Sequence, residues 1–201
     1  MLRFAIILTI ALAVIGCRGE QPAPTEPSAR PEASPPAVSG QPEAPEAPPV
    51  STTGKVTVKL ETDKGGIELE LDPAAAPKTV QNFVKLVQEG FYDGMPFHRV
   101  EPNFVIQAGD PALVGKPPVG YTIPDEQSPI KHTRGVIAMA RVYRGNAMVP
   151  NSASTQFYIA LRDTPHLDQM GFTAFGRVTK GMEAVDKIAV GDKIRKASVV
   201  E

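Results

Sequence analysis

From Val56 onward the sequence is cut into short apolar runs separated by glycine, proline and polar turns, and few stretches break that rhythm. VTVKLET at Val56–Thr62 alternates apolar and polar residues, DKGG follows, and IELELD at Ile67–Asp72 alternates again. A period of two sends successive side chains to opposite faces of a strand, and a glycine-containing turn between two such runs makes a hairpin. FHRV, FVIQAG, GVIAMAR, TQFYIAL and TAFGRVT continue the series, and ASVVE from Ala197 reads as a last strand. PKTVQNFVKLVQE at Pro77–Glu89 differs: Val80, Phe83, Val84 and Val87 share one helical face, with proline in the first turn and Gly90 as a stop. MEAVDKIAV from Met182 reads as a second, short helix. The count of about eight strands and two helices predicts a mainly β domain, a barrel or a sandwich.

The residues before this domain are of another kind. MLRFAIILTIALAVIGC combines Arg3, an apolar run from Phe4 to Ile15 and small Gly16 before Cys17, the layout of a secretory signal. That run is short for a membrane-spanning helix. From Arg18 to Gly54 the composition shifts, with ten of the 21 prolines and almost no large apolar residue. Such a segment buries too little surface to offset the entropy of ordering, so a disordered, partly polyproline-extended tether is expected. At about 3.1 Å per residue its fully extended reach is on the order of 100 Å. The predicted organisation is therefore a signal at 1–16, a tether at 17–54 beginning with Cys17, and a folded domain at 55–201. Cys17 is the single cysteine, which excludes an intrachain disulfide framework.

Charge and spacing exclude several chemistries. The folded part carries 18 basic and 17 acidic residues without basic runs, so it lacks the electrostatic footprint of a nucleic-acid binder. His98, His132 and His166 lie far apart and show no zinc-site spacing. No glycine-rich phosphate loop follows a strand and no GxSxG elbow is present. No cofactor or metal is expected. What stands out is FHRVEPNFVIQAGDP at Phe97–Pro111, which sets an arginine and a glutamine among apolar residues with no evident nucleophile.

That stretch, together with YTIPDE at Tyr121–Glu126, KHTRGVIAMAR at Lys131–Arg141, PNSASTQFYI at Pro150–Ile159 and FGRV at Phe175–Val178, resembles the cyclophilins, peptidyl-prolyl cis-trans isomerases, in their bacterial branch. VIGC at Val14–Cys17 likewise resembles a bacterial lipobox, which implies cleavage before Cys17 and a lipid on it. The resemblance implies a closed eight-stranded antiparallel β-barrel with a helix over each open end. It implies rotation of Xaa-Pro bonds in a monomer needing neither ATP nor metal. With the lipobox, it implies an extracytoplasmic enzyme, lipid-anchored to a bacterial membrane and assisting the folding of proline-containing clients.

The same resemblance assigns roles residue by residue. Arg99 matches the arginine that donates to the prolyl nitrogen, and Gln107 the glutamine that orients it and touches substrate backbone. Phe104 matches the aromatic residue of the proline pocket, and His98 stands beside the arginine as support. Val105, Tyr158 and Leu167 match other pocket walls; Ala140, Arg141 and Gln156 match the adjoining groove along the peptide. His166 stands where the family often has a tryptophan, which implies weak cyclosporin binding. Phe172 falls where a pocket histidine is common, because QMGFTAFG at Gln169–Gly176 is slightly longer than usual. VYRGNAMV at Val142–Val149 is also longer than the bacterial spacing, and ALVGKPPVG at Ala112–Gly120 replaces a stretch usually rich in glycine and threonine. A binding module for proline segments without turnover is the alternative; retention of Arg99, Phe104 and Gln107 together favours the enzyme.

Overall fold

The computed structural model describes residues 54–200. The signal at 1–16, Cys17 and the proline-rich stretch up to residue 53 lie outside the described residues. The strands are β1 (Val56–Thr62), β2 (Gly65–Leu71), β3 (Arg99–Glu101), β4 (Val105–Ala108), β5 (Val136–Met139), β6 (Tyr143–Arg144), β7 (Ala147–Met148), β8 (Phe157–Ala160), β9 (Ala174–Lys180) and β10 (Ile194–Val200). The helices are α1 (Pro77–Gln88), α2 (Pro165–Gln169) and α3 (Met182–Val185). Eight strands form one antiparallel sheet in the order β10-β1-β2-β9-β5-β8-β4-β3, while β6 and β7 make a separate hairpin.

The predicted closed barrel is corrected to an open one: the sheet curls through about 215° and leaves β10 and β3 as edges. At the seam, the residues ahead of β3 meet the start of β10. Phe97 N donates to Asp192 O at 2.8 Å and Ile194 N to Met95 O at 2.9 Å, with an isolated bridge between Pro96 and Lys193. Pro96 has no N–H to extend that bridge into a ladder. β3, three residues long, then diverges and pairs with β4 alone.

Helix α1 begins at Pro77, as the periodicity predicts, and packs against β10. Ala76 offers no side-chain cap. The cap comes from a distant loop: the Glu126 carboxylate accepts from Lys78 N at 3.0 Å, Thr79 N at 2.8 Å and Thr79 Oγ1 at 2.6 Å. Those N–H groups have no partner within the helix, and a negative charge at the positive end of its dipole is favourable. The buried face carries Phe83, whose ring centroid lies 5.1 Å from Tyr92, 5.3 Å from Phe157 and 5.2 Å from Phe175. The predicted pair of helices becomes three. α2 is too short for a 3.6-residue period to register, and α3 stops at Val185.

The alternation within the central strands serves two apolar clusters rather than one core and solvent. Ile106, Ile137, Met139, Phe157, Ile159 and Phe175 point into the main core with Phe83. Val105, Val136, Ala138, Tyr158 and Ala174 point to the other face and cluster with Leu167 of α2. Both faces of β5 and β8 are consequently buried, which is why these runs read as continuously apolar. The second cluster is the floor of the site.

Candidate active site

Cross-strand register assembles the site. Arg99 pairs with Gln107, Gln107 with Tyr158, Tyr158 with Ala138 and Ala138 with Ala174, one row across five strands. Directly paired residues project to the same face of a sheet, so this register puts a cation, an amide and an apolar floor side by side. Arg99 Nη1 donates to Gln107 Oε1 at 3.3 Å, and Gln107 Nε2 donates to Gln156 Oε1 at 2.8 Å. The amide thus points its oxygen at the guanidinium and its nitrogen at the next loop. Arg99 also lies 5.7 Å over the Phe104 ring and pairs with Glu101 at 3.5 Å. Gly109 follows β4 at φ 98°, and a Cβ there would lie 2.4 Å from Thr155 O. Only glycine lets the β4 end approach the Gln156 loop so closely.

A cavity of about 490 Å³ opens above this row. Arg99, Phe104, Val105, Gln107, Ala140, Arg141, Tyr158, His166, Leu167 and Phe172 all line it, so the structure brings ten of the residues singled out in the sequence around one space. Gln156 lines an adjoining hollow of about 240 Å³ that shares Ala140 and Arg141. His98 lines neither; its backbone N–H donates to Gln107 O at 3.1 Å and its side chain is half-buried. Burial lowers its pKa, Arg99 lowers it further and Asp110 opposes, so the ring is biased towards the neutral form. Phe104 stacks on His166 at 5.8 Å, and Tyr158 meets Phe172 edge-on at 5.9 Å. The aromatic ring of Phe172 is therefore part of the cavity wall. Tyr143 and Met170 also line the cavity but were not among the residues picked from sequence. Their placement depends on the β6–β7 hairpin and the turn after α2, neither of which has a periodic signal.

Behind the floor lies a polar chain. Asp168 Oδ1 sits 2.7 Å from His132 Nδ1, and His132 Nε2 sits 2.9 Å from Tyr158 OH. The phenol is thereby satisfied inside an apolar wall and its ring held in place. Burial pushes the Tyr158 hydroxyl far above its usual range, so it remains a neutral donor or acceptor. Burial also raises the Asp168 carboxyl, but the side-chain and backbone hydrogen bonds from His132 outweigh it and hold the group below the usual carboxylate range. A carboxyl depressed in the folded state stabilises the fold above its unfolded pKa, about 3.9, and that contribution is lost as pH falls through the folded value. The melting temperature is expected to fall on acidification below about pH 4, and Asp168→Asn to give a shallower decline from a lower starting point. Parallel melting curves of the two proteins from pH 7 to pH 2.5 would contradict this role. Among the described residues, no three His, Cys, Asp or Glu side chains gather into a group that could hold a metal ion.

Comparison with known proteins bears on this geometry. The family model for cyclophilin type peptidyl-prolyl cis-trans isomerase/CLD matches residues 57–201. Peptidyl-prolyl cis-trans isomerase B of Bacillus subtilis is 42% identical over 137 residues, covering 68% of this chain and 92% of that protein. A peptidyl-prolyl cis-trans isomerase of Helicobacter pylori is 42% identical over 149 residues, covering 72% and 86%. A crystal structure of a Cryptosporidium parvum cyclophilin type peptidyl-prolyl cis-trans isomerase superposes with a TM-score of 0.65 at 27% identity, covering 74% of this chain and 99% of that one. A second structure of that protein, in the presence of the dipeptide Ala-Pro, gives 0.63 at 27% identity over 72% and 99%.

Proposed function

This chain belongs to the cyclophilin-type peptidyl-prolyl cis-trans isomerases, and from that premise we propose that Arg99 drives the rotation, that the cavity seats the proline ring, and that the enzyme serves extracytoplasmic clients from a lipid anchor at Cys17. The observation that carries the catalytic part is the register row: Arg99 and the apolar floor at Tyr158 and Ala138 face the same space. A peptide bond resists rotation by about 18–20 kcal/mol because the nitrogen lone pair is delocalised into the carbonyl. When an Xaa-Pro bond twists, that lone pair localises on nitrogen and becomes a hydrogen-bond acceptor. An Arg99 N–H aimed there binds the twisted form better than either planar isomer. Such a difference in binding between transition state and ground state lowers the barrier.

The other residues set the geometry. The Phe104, Val105, Tyr158, Leu167 and Phe172 walls hold the ring by apolar contact. Gln107 aims the guanidinium and carries its orientation on to Gln156. No proton is transferred, so neutral His98 acts beside the arginine as support. The cyclophilin studied with Ala-Pro supports a proline-containing peptide as the ligand here.

Cis-trans exchange on Xaa-Pro peptides, measured by NMR with the full-length chain in detergent, tests the catalytic reading. Acceleration is expected; a folded chain that accelerates no peptide would be a proline-segment binder instead. The anchor has its own test. Cys17→Ser is expected to abolish metabolic lipid labelling and release the protein from the membrane fraction. A variant that still incorporates lipid would remove Cys17 as the attachment site.

A further inference from the structure

Two stretches without a periodic signal in the sequence, the one after Arg141 and the one after Asp168, reach the same cavity. The first folds as the β6–β7 hairpin and presents Tyr143; the second turns through Gly171, at φ 72°, and presents Met170. Both side chains line the cavity, yet Tyr143 is 47% and Met170 40% exposed. Val142, beside Tyr143, lines the adjoining hollow and is also exposed. Clustered exposed apolar side chains on a cavity mouth mark a binding surface.

One guanidinium fixes the two jaws relative to each other. Arg141 lies two residues before β6, donates from Nη1 to Gly171 O at 3.1 Å, and pairs through Nη2 with Asp125 at 2.7 Å. Its side chain is 8% exposed, so the tie is held inside the wall. Asp125 is in turn fixed by Asn151, whose N–H donates to its Oδ2 at 2.9 Å. The rim is therefore held by a largely buried guanidinium while its apolar tips stay open. Tyrosine provides a rigid apolar ring with a wet end, and methionine a flexible side chain that fits varied shapes.

We propose that Tyr143 and Met170 form an apolar clamp that selects peptides with a large apolar side chain beside the proline. The occupant is that flanking side chain, because the clamp is continuous with the cavity that holds the ring. The inference rests on the isomerase reading given above. While Phe104 and Tyr158 hold the proline at the floor, a neighbouring leucine or phenylalanine leaves water between the two jaws.

The test is exchange NMR with the full-length chain in detergent on peptides Ala-Xaa-Pro-Yaa-Ala, with leucine, phenylalanine, alanine or serine placed in turn at Xaa or Yaa. The wild type is expected to favour leucine or phenylalanine over alanine and serine by about fivefold or more in kcat/KM at one of the two positions, the scale a partly open apolar pocket supports. The double variant Tyr143→Ser/Met170→Ser is expected to bring that ratio below about twofold, chiefly through KM. Tyr143→Phe with Met170 intact is expected to keep it. Equal wild-type rates on all peptides that are accelerated, or a ratio that survives in the double variant, would overturn the clamp. A wild type that accelerates none of them would instead overturn the isomerase reading and the clamp together.

Discussion

Arg99→Ala is expected to lower kcat/KM for Xaa-Pro exchange by at least tenfold, about 1.4 kcal/mol of transition-state stabilisation, with the melting temperature nearly unchanged. The two halves of that expectation come from different features. Arg99 is exposed on β3, its side chain 43% accessible, and its contacts with Glu101 at 3.5 Å and Gln107 at 3.3 Å lie at the surface. Exposed pairs of this kind contribute about 0–1 kcal/mol to folding. In the proposed mechanism the hydrogen bond to a twisted amide nitrogen, in contrast, forms only in the transition state, so its loss falls on the rate. Arg99→Lys is expected to recover little, because a single ammonium cannot hold Gln107 and the substrate together as the fork does. Exchange NMR and thermal melting on the same samples decide the matter. An alanine variant with wild-type rate would remove Arg99 from the mechanism.

Phe83→Ala is expected to do the reverse. Its ring is fully buried and touches Tyr92, Phe157 and Phe175, joining α1 to the inner face of the sheet. Truncating a buried phenylalanine costs about 3–5 kcal/mol, a large share of the roughly 5–15 kcal/mol that a domain has in total. A fall in melting temperature of about 10 °C or more follows for a domain of this size. Phe157 points inward while Tyr158, next in sequence, points to the groove, so the floor keeps its outward residues. The remaining folded molecules are expected to retain kcat/KM within about twofold. A variant that melts like the wild type would show that the core refills around the missing ring.

Glu126 shows why some of this architecture cannot be read along the chain. The start of α1 is legible from Pro77 and from the spacing of Val80, Phe83, Val84 and Val87, but the carboxylate that caps it is 47 residues from Thr79. The same holds for Asp168 and His132, which lie 36 residues apart and meet behind Tyr158. Hydrogen bonds of this range depend on how loops are carried by the sheet, and no local spacing announces them. α2 leaves no signal in the sequence because five residues carry too little periodicity. The open sheet is not legible in the sequence because closure depends on how two edges meet, at Pro96 and Lys193.

The sequence by itself determined the strand and turn series, the first long helix, and the motifs whose resemblance singled out Arg99, Gln107 and the pocket walls. These are legible because side-chain alternation, proline and glycine act within a few residues of themselves. Tertiary structure alone decided that Arg99, Gln107, Tyr158 and Ala138 share one row, and that Tyr143 and Met170 stand over the same cavity. A row across strands is set by register, and register depends on which segments pair and on the common apolar face they bury.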